Sequence, residues 1–392
     1  MKPVAGREPL WLQRAQEARR QADRFAAAMA YLDGLAEVPT DQRPLNGLYF
    51  LGLDLEERRR ILPRLQELLA LAPERPLARF LLAHWLHDLG ERERSLSISR
   101  EVARTGLAPH RLRPDSAVGA GGQPDALIIG APKSATTSLA AYLCGHPAIW
   151  VHPLKELHFF DNHWERGEEW YRAQFPSLRR TGSIVRLEAT PDYLQTPEAP
   201  ARVQSLLPEV RLIVVLREPL ARAISWIGHM RTQVGLEGET EALLRQEMEN
   251  LEALDPAERA QLGWFFPNAL SGSLYADQLG RWRKHVPAER ILLLSFEALV
   301  LNPEPVLRRV LAFLDQDPAG LPPGAPMWPT TVDASSSTRS IPTWPVVAGM
   351  GCWRRRWSSG WSSEVASWLH YISMKPVLVV HVCFCRPLCQ ER

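Results

Sequence analysis

One lysine and four hydroxyls crowd the junction between a short apolar run and an amphipathic segment, in Ala126-Leu-Ile-Ile-Gly-Ala-Pro-Lys-Ser-Ala-Thr-Thr-Ser-Leu139. The run ends at Gly130, and the turn after it carries Lys133, Ser134, Ala135, Thr136, Thr137 and Ser138. This pattern predicts a buried strand, a tight loop and the first turn of a helix. Free backbone N–H groups at a helix start attract anions, and a lysine beside them adds a full positive charge. The segment is therefore suited to hold a phosphate or a similar oxyanion. It is not a standard triphosphate loop, because the Gly-x4-Gly-Lys-Ser/Thr ending is missing. Lys133 follows Gly130 by three residues, and Ala135 stands where a second glycine would be.

A second cluster lies in Arg211-Leu-Ile-Val-Val-Leu-Arg-Glu-Pro-Leu-Ala-Arg-Ala-Ile-Ser225. Leu212 to Leu216 form an unbroken apolar run, as expected of a parallel strand buried on both faces. Arg217 then falls at the carboxyl end of that strand, where open α/β sheets bind their ligands, and Pro219 suits the first turn of a helix. A guanidinium fork chelates phosphate, and the hydroxyl of Ser225 adds a donor. Arg222 reads either as a further ligand or as a solvated helix residue. A third segment, Pro153-Leu-Lys-Glu-Leu-His-Phe-Phe-Asp161, would mean little alone. A Lys–Glu pair is usually surface, and a histidine among aromatics is usually core.

Taken together, these segments resemble the sulfotransferases that use 3′-phosphoadenosine 5′-phosphosulfate. The Pro-Lys-Ser-Ala-Thr-Thr loop is similar to that family's 5′-phosphosulfate loop. Arg217 through Ser225 match its Arg-x-Pro-x-x-Arg-x-x-Ser pattern, whose first Arg and Ser hold the 3′-phosphate. Lys155-Glu-x-His158 resembles the heparan-sulfate-like branch and its bacterial relatives. The resemblance implies Glu156 as catalytic base with His158 and Lys155 assisting, and Lys133 neutralising the departing phosphate. It implies a donor site of Lys133, Ser134, Ala135, Thr136, Thr137, Ser138, Arg217 and Ser225, and no metal. Glu188-Ala-Thr-Pro-Asp-Tyr193, Tyr275, Leu279 and Trp282 extend the likeness over roughly residues 125 to 315. Tyr193 and Trp282 are open to two readings, stacking on adenine or packing in the core. The acceptor implied is a carbohydrate or glycolipid hydroxyl or amine. Two rivals stand beside this reading: a catalytically impaired scaffold that binds a protein through its helices, and a nucleotide kinase.

The expected fold class is α/β, a P-loop-like parallel sheet with helices on both faces, preceded by an all-α region. At 392 residues the chain has material for two cores. A net charge of +2 gives no basic field for nucleic acid or membrane. Charges at Lys2, Arg7, Glu8 and Arg14 read against a leader or anchor, and no long apolar span follows. Cys144 is the only cysteine before Cys352, which argues against a disulfide framework. The expected location is cytoplasmic.

Residues 1–117 read as helical throughout, with Leu10 to Glu37 as one stretch, a turn around Asp41 to Gly47, and a second helix from Glu56 to Leu71. Pro76 to Gly90 and Glu91 to Gly106 form a helix–turn–helix pair that resembles a tetratricopeptide unit, though a plain helical cap fits as well. Residues 118–124, with three glycines and a proline, read as a linker. Residues 125–330 form the transferase region, with strands at 126–130, 183–188, 211–216 and 290–295. Periodicity fades near Trp328, and the last 65 residues hold six of the fourteen Trp and four of the five Cys. Residues 331–392 therefore read as an atypical tail, frameshifted or eroded. Cys383-x-Cys385-x3-Cys389 lacks a second ligand pair and is not taken as a metal site.

Overall fold

The computed structural model describes residues 9–38, 41, 43–71, 73, 75–105, 122–177, 184–263 and 267–321. The expected tail at 331–392, and most of the linker, lie outside the described residues. The chain starts with α1 (Leu10–Arg20), α2 (Arg24–Glu37), α3 (Arg43–Phe50), α4 (Leu55–Leu71), α5 (Pro76–Asp88) and α6 (Arg92–Thr105). Two expectations are corrected here. The stretch from Leu10 to Glu37 is a helical hairpin: Ala22 takes φ +56°, and Asp23 caps α2 by accepting from the Ala26 N–H at 2.9 Å. Part of the turn expected at Asp41 to Gly47 is α3. The α5–α6 pair forms as expected, locked by a 2.7 Å bond from Ser95 Oγ to the Ala83 carbonyl. The tetratricopeptide reading of that pair remains a proposal.

The apolar runs that follow pair with one another in parallel. β1 (Ala126–Gly130) leads through α7 (Thr136–Cys144) to β2 (Ile149–Val151). Then α8 (Phe159–Asn162) and α9 (Gly167–Ala173) precede β3 (Val185–Ala189), and α10 (Ala199–Leu206) precedes β4 (Arg211–Leu216). Four helices, α11 (Pro219–Val234), α12 (Thr240–Ala253), α13 (Pro256–Ala260) and α14 (Tyr275–Arg283), separate β4 from β5 (Ile291–Ser295). α15 (Phe296–Leu301) and α16 (Pro303–Phe313) follow. The strand order is β2-β3-β1-β4-β5. Parallel strands need such crossovers, and helices on both faces bury the sheet twice over. Accordingly Leu127 and Ile129 join one core with Trp170 and Trp282, while Ala126 and Ile128 join the other with Leu139 and Leu307. β2 was not expected: three residues are too few to show a period.

Winding reverses at β1, which has β3 on one side and β4 on the other. The carboxyl ends of β1, β3 and β4 thus meet at a switch point, where a crevice forms between diverging connections. The helical region is not a separate bead. Arg166, just before α9, pairs with Asp88 of α5 at 2.8 Å, and Arg100 of α6 pairs with Glu169 at 2.9 Å. The rings of Phe80 and His152 lie 4.9 Å apart, and Leu96 belongs to the sheet's own core.

Candidate active site

The loop from Ala131 to Ala135 leaves β1 with Lys133 at φ +68° and Ala135 at φ +62°. Left-handed conformations at non-glycine residues cost of order 1–3 kcal/mol each, so surrounding structure must hold them. Alternating backbone hands turn neighbouring N–H groups toward one concavity, an anion nest. α7 begins there with Ala135 as its cap and no side chain satisfying its first turn. Ser134 is fully buried, and its Oγ has no partner among the described residues. Thr136 is buried, Ser138 half-buried and Thr137 exposed. Gly130 is required by close approach, since a Cβ there would sit 2.5 Å from Leu194 Cβ.

Arg217 ends β4 beside this loop, and its Nη1 donates to the Lys133 carbonyl at 3.0 Å. The two anion-binding segments are therefore one surface. The Arg217 guanidinium lies 4.3 Å from the Phe296 ring centre, its Nε is buried without a partner, and Tyr275 Oη donates to its carbonyl at 3.0 Å. Glu218 caps α11 by accepting from the Leu220 and Ala221 N–H groups. Ser225 stands two turns along that helix, half-buried. The solvated reading of Arg222 is corrected. It is fully buried, donating through Nε to Ser273 Oγ at 2.6 Å and through Nη2 to the carbonyls of Asn268 and Ala269.

The third motif comes to the same edge through β3. The Glu156 N–H donates to the Ala189 carbonyl at 2.9 Å, and Glu156 and His158 adopt φ +69° and +53°. Lys155 Nζ pairs with Glu156 Oε1. His158 Nε2 lies 4.0 Å from Glu156 Oε2, and its Nδ1 lies 2.7 Å from Asp161 Oδ2. Burial pushes the Glu156 carboxyl up, but Lys155 and His158 outweigh it and hold it below the usual carboxylate range. Burial opposes charge on His158 too, yet Asp161, Asp192 and Glu156 raise it to about 9. At neutral pH this is a carboxylate beside an imidazolium. Of the two, only the Glu156 carboxylate is free to accept a proton, while His158 carries positive charge.

Lys133 is drawn below its ordinary value by burial, with the Glu156 carboxylate opposing that shift. Burial, then Lys133 and Lys155, push His229 down to about 4, so it faces the site neutral. Burial lifts Asp192 to about 6, against the pull of His158. Sequence reasoning missed both roles. His229 follows Ser225 by four residues on α11, one helical turn along the same face, which was the available signal. Asp192 sits inside the Glu188–Tyr193 motif. Ligand atoms of His158, Asp161 and Asp192 lie within 4.8 Å of one another, and a metal there would have to displace the proton that Asp161 stabilises on His158.

Of the two readings of Tyr193 and Trp282, the structure agrees with packing in the core, and the donor-site place given to Tyr193 is corrected. Both are fully buried, and Trp282 Nε1 donates to the Leu194 carbonyl at 3.2 Å. Tyr193 Oη donates to Glu188 Oε1 at 2.6 Å and accepts from the Phe159 N–H at 2.9 Å. Glu188 is itself buried and also accepts from Thr190 and Tyr171. Tyr193 thus anchors the residue after His158 and positions the third motif.

Comparison with known proteins follows this geometry. The sulfotransferase domain family model matches residues 123–321. Mouse heparan sulfate glucosamine 3-O-sulfotransferase 3B1 is 34% identical over 198 residues, covering 49% of this chain and 46% of that protein. Human heparan sulfate glucosamine 3-O-sulfotransferase 6 is 35% identical over 192 residues, covering 49% and 52%. The chain spans about half the length of the curated relatives it matches. A crystal structure of a sulfotransferase from Alicyclobacillus acidocaldarius is 26% identical with a TM-score of 0.44, covering 51% of this chain and 84% of that one. The family match takes in the phosphate loop, the Glu156 segment and Arg217, and extends over half the chain: the protein belongs to the sulfotransferase domain family.

Proposed function

We propose that the protein transfers a sulfuryl group from 3′-phosphoadenosine 5′-phosphosulfate to a hydroxyl or amine. The observation that carries this reading is the bond from Arg217 to the Lys133 carbonyl, beside Glu156. It brings together the two segments read as phosphate clamps, and the charge of the Glu156 carboxylate acts on Lys133 there. In the reaction, Glu156 takes the acceptor proton and the acceptor oxygen or nitrogen bonds to sulfur in line. The bond from sulfur to the bridging oxygen breaks, and the electron pair leaves on the 5′-phosphate, where Lys133 and the α7 N–H groups meet the charge. Positioning and electrostatics supply the catalysis, as in phosphoryl transfer. No step calls for a metal.

The named acceptor of the relatives, heparan sulfate glucosamine, supports a carbohydrate or glycolipid acceptor here. The cytoplasmic location is part of the same proposal, and cell fractionation tests it. A second reading, a donor-binding scaffold with a protein partner on its helices, is favoured by the irregular composition after Trp328. Calorimetry with adenosine 3′,5′-bisphosphate tests the nucleotide site. The expected result is micromolar binding, about −8 kcal/mol, weakened by Arg217→Ala. Absence of binding, or binding indifferent to Arg217→Ala, would count against the donor assignment.

A further inference from the structure

A cavity of about 170 Å³ lies between the helical region and the Glu156 segment. Glu156 and His158 form one end of it; Leu48, Leu53, Phe80, Leu81 and Trp85 of the helical region line the other. Lys133 and Arg217 are not among its lining residues, so the cavity is distinct from the two segments read as donor clamps. Its charged groups form ion pairs, while Arg58 Nε and His84 Nε2 are buried without a partner among the described residues. Arg58 and Arg166 both pair with Asp88, Lys155 with Glu156, and His158 with Asp161. The two other imidazoles on the wall, His84 and His163, are held neutral mainly by burial.

We infer that α3, α4 and α5 supply the acceptor wall and that it receives a ring-sized apolar group attached to the acceptor sugar. The inference rests on Glu156 as the base of the proposed transfer and narrows the acceptor class. A free polysaccharide would press hydroxyls and sulfates against leucines that offer them no hydrogen bond. The volume is close to that of an engineered apolar cavity, about 150 Å³, that takes up benzene. The reacting hydroxyl then lies at the Glu156 end, and an aryl or lipid group beside the sugar fills the space under Trp85. The class singled out is an aryl- or lipid-linked sugar.

The test is calorimetry on the full chain with two probes that share a sugar, 4-nitrophenyl β-glucosaminide and methyl β-glucosaminide. The aryl glycoside should bind at least about ten times more tightly, and Leu81→Trp, which fills the cavity, should abolish the preference. Should Leu81→Trp fail to fold, Leu53→Trp in the turn before α4 gives the same readout. Equal binding of the two probes, or a preference that survives filling, overturns the inference. Titrating adenosine 3′,5′-bisphosphate into the same samples separates the claims. Nucleotide binding without an aryl preference removes only the cavity's role. An aryl preference without nucleotide binding upholds the cavity and removes the donor assignment.

Discussion

With Lys155 on its carboxylate and the imidazolium of His158 4.0 Å away, Glu156 stays ionised while its side chain remains 38% exposed. On the proposed chemistry, His158 is expected to set the alkaline side of the pH profile. Its folded value, about 9, lies above the ordinary 6.5, so its charge is complete below 6.5 and disappears as pH rises through about 9. Its contribution to stability follows the same course. The kcat/KM profile should therefore fall with an apparent pKa near 9, and Asp161→Asn should move that limb to lower pH. An unmoved limb would detach His158 from the chemistry. At this scale the sequence was most legible where a motif is contiguous: Lys133 and Arg217 each follow a strand that their own flanks announce, while Glu156 was found through the resemblance alone. His229 was signalled only by its four-residue spacing from Ser225 on α11, and Asp192 only by its place in the Glu188–Tyr193 motif. Tyr193 was misread because an aromatic ring in a motif says nothing of which side it faces.

Among the elements, the stretch from Asn268 to Tyr275 does the bracing. Glu247 of α12 is buried and accepts from the N–H groups of Ala269, Leu270 and Ser271 at 2.9 to 3.0 Å. Arg222 holds the carbonyls of Asn268 and Ala269 from α11. Tyr275 then fixes the Arg217 carbonyl. Arg222→Met would leave those carbonyls without their donor and remove one partner of Ser273, at a cost of about 2 kcal/mol. Urea unfolding should show that loss, and binding of adenosine 3′,5′-bisphosphate should weaken with it because Arg217 loses its brace. Intact stability would contradict this role. β1, β4 and β5 were legible because buried parallel strands read as nearly unbroken apolar runs. The break between α1 and α2 was not, because helical spacing of apolar residues continues through Ala22 and Asp23.

For the molecule as a whole, Asp88 is the joint between the helical region and the sheet domain. Its carboxylate pairs with Arg58 of α4 and with Arg166, whose guanidinium lies 4.8 Å from the Trp170 ring centre. Removing one partner of a buried ion pair is costly because the other charge stays behind. Asp88→Ala should destabilise the fold by about 3 kcal/mol and split a single calorimetric transition into two. One unshifted transition would contradict the joint. Contacts of this kind link residues 78 positions apart, and no local pattern in the sequence announces them. The linker composition before Pro124 suggested a loose tether; the ion pairs and the shared core show a docked wall.

The central claim is sulfuryl transfer with Glu156 as base and Lys133 at the leaving phosphate. Its most direct test is transfer of radiolabelled sulfate from the phosphosulfate donor to a panel of glycosides by the full chain and two variants. Wild type should transfer, while Glu156→Gln and Lys133→Ala should each lower kcat by at least about a hundredfold. Adenosine 3′,5′-bisphosphate should still bind Glu156→Gln as it binds wild type. Turnover retained in both variants would contradict the account.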